Sequence, residues 1–136
     1  MPDLSKTPFA IINGITSKLE ELTLLHNQKL NMAVSNLKQT YPQLNFFYID
    51  IYQVFNEVIA NPAKFNEKYH VNITDVMHSC WEGGYTVGNT SYLANNQNNG
   101  LLPCNNPDEY IFWDEIHPTR IVHYILAEYV SETVKL

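Results

Sequence analysis

The chain is short of positive charge: eight Lys and Arg stand against fourteen Asp and Glu in 136 residues, a formal net charge of −6. Those cations are dispersed along the sequence, so no element carries the basic stripe that phosphate-backbone binding needs, and no nucleic-acid partner is expected. Long apolar runs are missing as well. No stretch of about 18 or more apolar residues exists to span a bilayer, and Met1-Pro2-Asp3-Leu4 opens without the cationic region and apolar core of a signal peptide. The chain as written is therefore expected to be soluble, without a transmembrane segment and without an address. Internal repeats are absent. Cysteine is scarce, with only Cys80 and Cys104. Neither has a second Cys or His two to four residues away except His78, so the paired spacing of a zinc site is lacking. The two cysteines do bracket a polar segment, residues 81–103, rich in Gly, Asn, Tyr and Thr. A bridge closing that loop would stabilise by about 3 kcal/mol in the chain-entropy estimate. A disulfide is expected over two reduced thiols, since loops this long and polar usually need a tether, and it implies an oxidising compartment.

With 45% hydrophobic and 16% charged residues, the chain can bury one core and reads as a single domain. Residues 1–14, with Pro2, Pro8 and Gly14, read as an irregular lead-in. Ser17-Lys18-Leu19-Glu20 fits a capping box, and Leu19, Leu22, His26, Lys29 or Leu30, Ala33 and Leu37 recur at helical spacing, which predicts a helix over 17–39 that Pro42 ends. Leu44 to Tyr52 is dense in aromatic and β-branched residues and reads as a buried strand. A short helix over 53–60 stops before Asn61-Pro62. Phe9 to Ile12 and Tyr110 to Trp113 are weaker strand candidates, and residues 66–106 read mostly as loop. The order helix, strand, helix points to an α/β layered fold with functional residues at the carboxyl ends of parallel strands. One confident strand cannot bury both of its faces, so part of the sheet is expected to be missing. Pro118 suits a first helical turn, and Ile121, Val122, Ile125, Leu126, Tyr129 and Val130 form one apolar stripe behind it.

Asp114 stands three residues before His117 at the mouth of that last helix. A carboxylate that fixes the tautomer of an imidazole and stabilises its cation makes the imidazole a competent general base for a serine hydroxyl. Spacing alone also allows a local capping interaction. A metal set of Asp114, His117 and His123 would need a geometry that spacing does not supply. His26, His70 and His78 read as surface or boundary histidines, and Phe46, Phe47 and Tyr48 as core. The nucleophile is missing. None of the six serines lies in a Gly-Asp-Ser or Gly-x-Ser-x-Gly context that would hold its Oγ on a sharp strand-to-helix turn.

The block Tyr110-Ile111-Phe112-Trp113-Asp114-Glu115-Ile116-His117-Pro118-Thr119, followed by the apolar helix, closely resembles the last conserved block of the GDSL or SGNH serine ester hydrolases and lipases. Pro2-Asp3-Leu4-Ser5-Lys6-Thr7-Pro8 is similar to the segment that follows a central strand in that family, and His26-Asn27-Gln28-Lys29-Leu30 to a helix in which an Asn and a Leu recur. The resemblance implies that Asp114 and His117 complete a Ser-His-Asp triad and that no cofactor takes part. It finds no counterpart here for the Ser block, the Gly block or the Gly-x-Asn-Asp block.

The implied fold is a partial SGNH-hydrolase fold, a flavodoxin-like three-layer α/β/α arrangement lacking its N-terminal strands. Residues 1–136 would be one incomplete domain, the C-terminal portion, with a loop insertion at about 66–106. The resemblance is nearest the bacterial phospholipase A, lysophospholipase and glycerophospholipid acyltransferase branch, which implies a lipid or other acyl-ester substrate and a secreted or periplasmic parent enzyme. The alternative is a catalytically inactive fragment acting as a partner- or membrane-surface-binding module. Either way, a missing N-terminal half or self-association through an exposed sheet edge is the expected partner. The loop between Cys80 and Cys104, with Trp81, Tyr85 and Tyr92, would be either a flap over the ester site or an inert insertion.

Overall fold

The computed structural model describes residues 1–81 and 102–134. The chain begins with a 3-10 turn at Leu4–Lys6 and a short helix α1, Pro8–Ile12. The irregular lead-in and the strand expected at Phe9 to Ile12 are thus both replaced by helical turns. Local chemistry explains the change: Asp3 caps the 3-10 turn by accepting the Ser5 N–H, Thr7 caps α1 by accepting the Ala10 N–H, and Pro8 starts α1 where no N–H is needed. Gly14, at φ 63°, then reverses the chain, with the Gly14 N–H bonded to the Ile11 carbonyl and the Ile15 N–H to that of Ala10.

Helix α2 runs over Thr16–Thr40, one residue beyond the predicted span at each end. Ile15 occupies its N-cap position without a side-chain bond, so the capping box expected at Ser17 does not form. One flank of α2 is pinned to the chain start: the Leu4 N–H meets Thr23 Oγ1 at 3.4 Å, and Asn27 Nδ2 donates to the Met1 carbonyl at 2.9 Å. Its main contacts are with the 3-10 turn and α1.

The strand expected at Leu44 to Tyr52 is not formed. Residues 45–50 have no ladder partner among the described residues, and Ile51 and Tyr52 already belong to α3, Ile51–Ala60. Phe46, Phe47 and Tyr48 lie outside the core, with Phe47 59% exposed. A strand needs a neighbouring backbone to satisfy its N–H and C=O groups, and among the described residues none pairs with this segment. Asn61 ends α3 and caps α4, Pro62–Tyr69, accepting the Lys64 N–H while Pro62 takes the first helical position.

The region read as loop contains the strand β1, Asp75–Ser79, which pairs in parallel with β2, Tyr110–Phe112. Asp75 lies opposite Tyr110 and Ser79 opposite Phe112. β1 escaped the sequence reading because only Val76 and Met77 among its residues are apolar. The final helix α5 spans Arg120–Val134. The core forms where α3, α4 and α5 close on β2: Val54, Phe55 and Val58 meet Phe65 and Tyr69, Ile111 and Phe112, and Ile121, Val122 and Ile125. A small mixed α/β unit results, consistent with part of an SGNH fold.

A disulfide joins Cys80 to Cys104, with Cα atoms 4.9 Å apart, and the Cys104 N–H bonds to the Cys80 carbonyl at 2.7 Å. Residues 82–101, including Tyr85 and Tyr92 of the suggested flap, lie outside the described residues, whereas Trp81 is buried. Reduction is expected to lower the unfolding free energy by about 3 kcal/mol, read as a lower urea midpoint. Mass spectrometry of the unreduced protein should show a linked Cys80–Cys104 peptide; free alkylation of both thiols without reductant would contradict the bridge.

Candidate active site

The site is a loop that leaves β2 and closes back on it. After Phe112 the chain turns through Asp114, Glu115 and Ile116 and returns at Pro118, which bridges Phe112 in antiparallel sense. Four further bonds fasten the loop. The Trp113 N–H donates to the His117 carbonyl at 2.8 Å, and the Thr119 N–H to the Ile111 carbonyl at 2.8 Å. Thr119 Oγ1 donates to the Tyr110 carbonyl at 2.6 Å. From α1, the Phe9 N–H reaches the Glu115 carbonyl at 2.9 Å. The opening residues thus brace the loop, and Pro2, Leu4 and Thr7 pack with Ile116 and Pro118 around a void of about 40 Å³.

Inside this frame Asp114 and His117 meet. Asp114 Oδ1 accepts the N–H groups of Ile116 at 2.8 Å and His117 at 2.7 Å, and Oδ2 lies 2.8 Å from His117 Nδ1. The Asp114 side chain is 1% exposed and that of His117 56%. That asymmetry decides what the pair can do. A buried carboxylate tied by two backbone donors cannot swing, so the ring that donates Nδ1–H to it is held in one orientation with Nε2 as its basic nitrogen. The sequence placed His117 at a helix start; the structure puts it three residues before α5, because Pro118 is spent on the bridge to Phe112 and Arg120 opens the helix.

A second pair has the same geometry. Asp75 Oδ1 accepts the Met77 N–H at 3.0 Å and the His78 N–H at 2.8 Å, and Oδ2 lies 2.9 Å from His78 Nδ1. His78 is at the surface, as expected, yet its ring is also held by a carboxylate, and the same Asp-x-x-His spacing was the signal that could have revealed it. Burial opposes ionisation of Asp75, but the N–H groups of His78 and Met77 and the His78 ring outweigh it and hold the carboxyl below its ordinary value of 3.8. A carboxyl lowered by folding stabilises the fold above the unfolded value, and this contribution fades as pH falls through the folded one. Asp75→Ala is expected to cost about 1 kcal/mol at about pH 6, as loss of a capping carboxylate does, and less at about pH 3. Urea midpoints at the two pH values check this, and an equal loss at both would remove the charge from the explanation.

The remaining histidines do not join the site. His26, His70 and His123 are exposed, on α2, at the end of α4 and on α5. Among the described residues no group of three His, Cys, Asp or Glu side chains is placed to hold a metal ion. Of the serines, Ser5 is buried and donates to Asp3 Oδ1 at 2.7 Å, and Ser35 donates to the Asn31 carbonyl; Ser91 lies outside the described residues. Trp113 and Pro118, neighbours of the pair in sequence, line a cleft of about 470 Å³ together with Pro107, Asp108, Thr119 and Arg120. Arg120 crosses it to pair with Asp108. No helix of the described residues is long and apolar enough to cross a membrane.

A buried carboxylate orienting an exposed imidazole at the end of a parallel strand is an arrangement that serine ester hydrolases use. Comparison with known proteins agrees with that class. The family profile of the GDSL-like lipases/acylhydrolases matches residues 1–130. The Arabidopsis thaliana protein "GDSL esterase/lipase APG" is 34% identical over 114 residues, covering 84% of this chain and 30% of its own length. A second GDSL esterase/lipase of the same plant is 32% identical over 134 residues, covering 94% of the chain and 34% of itself. "GDSL esterase/lipase 7" is 24% identical over 122 residues, 85% of the chain and 29% of that protein. The chain belongs to the GDSL-like lipase/acylhydrolase family, and it spans about a third of the length of these curated relatives.

Proposed function

We propose that these residues form the C-terminal portion of a serine ester hydrolase, one incomplete SGNH domain in which His117 is the general base and acid and Asp114 its orienting carboxylate. The Asp114–His117 geometry carries this reading: a fixed, buried acid and an exposed ring in a chain of this family. A serine from outside residues 1–136 loses its hydroxyl proton to His117 Nε2 as its Oγ attacks the ester carbonyl. The imidazolium, stabilised by Asp114, returns that proton to the departing alcohol, leaving an acyl-enzyme that water cleaves by the same base. The lack of any serine in a Gly-Asp-Ser context supports an external nucleophile.

Lysophospholipid or phospholipid chains are the proposed substrates. The tethered loop ahead of the last block supports the narrower placement among bacterial phospholipases and acyltransferases, and the disulfide supports an oxidising compartment. The test is hydrolysis of p-nitrophenyl esters, measured for the chain alone and combined with the part of a family member carrying the Ser and Gly blocks. The chain alone is expected to be inactive, because even one absent oxyanion donor costs about 10²–10³-fold in rate. Full activity of the isolated chain would overturn the external serine.

A further inference from the structure

Arg120 and Asp108 meet between two open clefts. One, of about 470 Å³, is lined by Trp113 and Pro118, the residues on either side of the Asp114–His117 turn, and the Trp113 N–H is bonded to the His117 carbonyl at 2.8 Å. The other, of about 720 Å³, lies beyond the ion pair and shares Pro107, Asp108 and Arg120 with the first. Glu109 and Tyr124 line this second cleft. Glu109 Oε1 accepts from Asn72 Nδ2 at 3.3 Å and from Asn106 Nδ2 at 3.4 Å, and the Thr74 N–H donates to the Glu109 carbonyl at 2.8 Å, which fixes both the carboxylate and its backbone. Tyr124, on α5, is 42% exposed and offers a ring face. The Arg120–Asp108 pair is itself at the surface, with side chains 76% and 49% exposed. Such pairs add little to stability, so the guanidinium can turn from Asp108 to a ligand oxyanion at small cost.

We infer that the two clefts form one subsite for a zwitterionic headgroup of the phosphocholine type: Arg120 takes the phosphate, and Tyr124 with Glu109 takes the quaternary ammonium. The inference rests on the proposed function for the identity of the ester; headgroup binding itself is measurable without it. The charges select the ligand. A guanidinium is a planar fork that matches two phosphate oxygens. A simple anion would use that fork alone and would be repelled by Asp108 and Glu109 beside it. A quaternary ammonium has no N–H to donate and is held by an aromatic face and a nearby carboxylate, which Tyr124 and Glu109 supply. Arg120 and Tyr124 stand four residues apart on α5, neighbours on one helical face, as the short link between phosphate and ammonium requires. The ester end follows from the chain. Three residue steps lead from His117 to Arg120, so their backbones are no more than about 11 Å apart. In a glycerophospholipid the phosphate is only a few bonds from an ester. A phosphate on Arg120 therefore leaves that ester within reach of the exposed His117 ring.

The test is titration of the 136-residue chain with glycerophosphocholine, followed by NMR at the Arg120 Nε–H and the Tyr124 ring. Saturable shifts at both, with a dissociation constant of about 1 mM, are expected. Inorganic phosphate and choline chloride, offered singly, should each bind at least about tenfold more weakly, and glycerol should leave both signals unmoved. Arg120→Gln should weaken glycerophosphocholine binding about tenfold, and Tyr124→Leu several-fold. Asp108→Asn should tighten it, because a competing carboxylate is gone; a merely structural ion pair would not give that result. Lys38→Gln, which removes a cation from α2 outside the clefts, should change nothing. Arg120→Gln should melt within about 3 °C of the parent, as loss of an exposed pair does. In the assembled enzyme, Arg120→Gln should lower kcat/KM for lysophosphatidylcholine about tenfold relative to a monoacylglycerol of the same acyl chain, chiefly through KM. No shifts at about 20 mM glycerophosphocholine, phosphate alone binding as tightly, weaker binding by Asp108→Asn, or a substrate ratio indifferent to Arg120→Gln overturns the subsite. Headgroup binding in an assembled protein that cleaves neither ester leaves the subsite standing and removes the hydrolase reading. Ester cleavage without headgroup binding does the reverse.

Discussion

His117→Ala is expected to lower ester hydrolysis by the assembled enzyme about 10⁴–10⁶-fold, with substrate binding little changed. The size follows from the proposed role. Without the imidazole, nothing accepts the serine proton during attack or supplies one to the leaving alcohol, and only oxyanion stabilisation and positioning remain. His117 is 56% exposed and its substitution opens no cavity in the core, so the loss should appear in turnover and not in the melting temperature. Asp114→Asn should cost about 10⁴-fold by a different route. Its remaining oxygen can still accept the Ile116 and His117 N–H groups, but the amide offers the ring a donor where the carboxylate offered an acceptor, which favours the wrong tautomer. The double variant should be scarcely worse than His117→Ala, because the two side chains act as one unit. Rates measured on p-nitrophenyl butyrate, with circular dichroism to verify folding, provide the check. Activity surviving His117→Ala would remove His117 from the mechanism.

Which parts of this were legible in the sequence depended on whether the signal was local. Helix α2 was readable to within a residue at each end because its period runs over six turns and Pro42 bars its continuation. The pairing of Asp114 with His117 was readable because three residues of spacing across a tight turn bring the two side chains together, and its context drew on the whole Tyr110–Thr119 block. The start of α5 was misplaced by a local preference that lost to a tertiary one. Pro118 fits a first helical turn, yet its backbone is used to close the loop on Phe112, so the helix waits for Arg120.

Non-local features were not legible. β1 carries Asp75, His78 and Ser79 and is a strand only because β2, some 30 residues on, lies beside it; its alternation is too weak to announce pairing. Residues 44–52 failed in the other direction. Their composition is that of a buried strand, yet 45–50 have no ladder partner among the described residues and Ile51 and Tyr52 enter α3, because strand propensity expresses itself only against a neighbouring backbone. The same holds for the leucine stripe of α2. In both cases the sequence anticipates a burial that the described residues do not supply.

Phe112→Ala is expected to destabilise the chain by about 3–5 kcal/mol, the usual cost of emptying an aromatic site in a packed core. Phe112 has no exposed surface, its ring meets Phe55 edge-on with centroids 5.9 Å apart, and α3, α4 and α5 converge on it and its neighbour Ile111. Against a typical total of about 5–15 kcal/mol for a domain, such a loss leaves little margin. Phe47→Ala removes the same ring from a position 59% exposed and should change stability by no more than about 0.5 kcal/mol in this chain. Urea unfolding of both variants gives the comparison, and similar losses would mean that residues 45–50 are packed after all. The Phe112 effect should also reach the site. Its carbonyl accepts the Cys80 N–H at 3.0 Å and its backbone bridges Pro118, so the ring anchors both the disulfide-bearing end of β1 and the return of the Asp114–His117 loop. In the assembled enzyme the variant should therefore lose turnover even at temperatures where it remains folded.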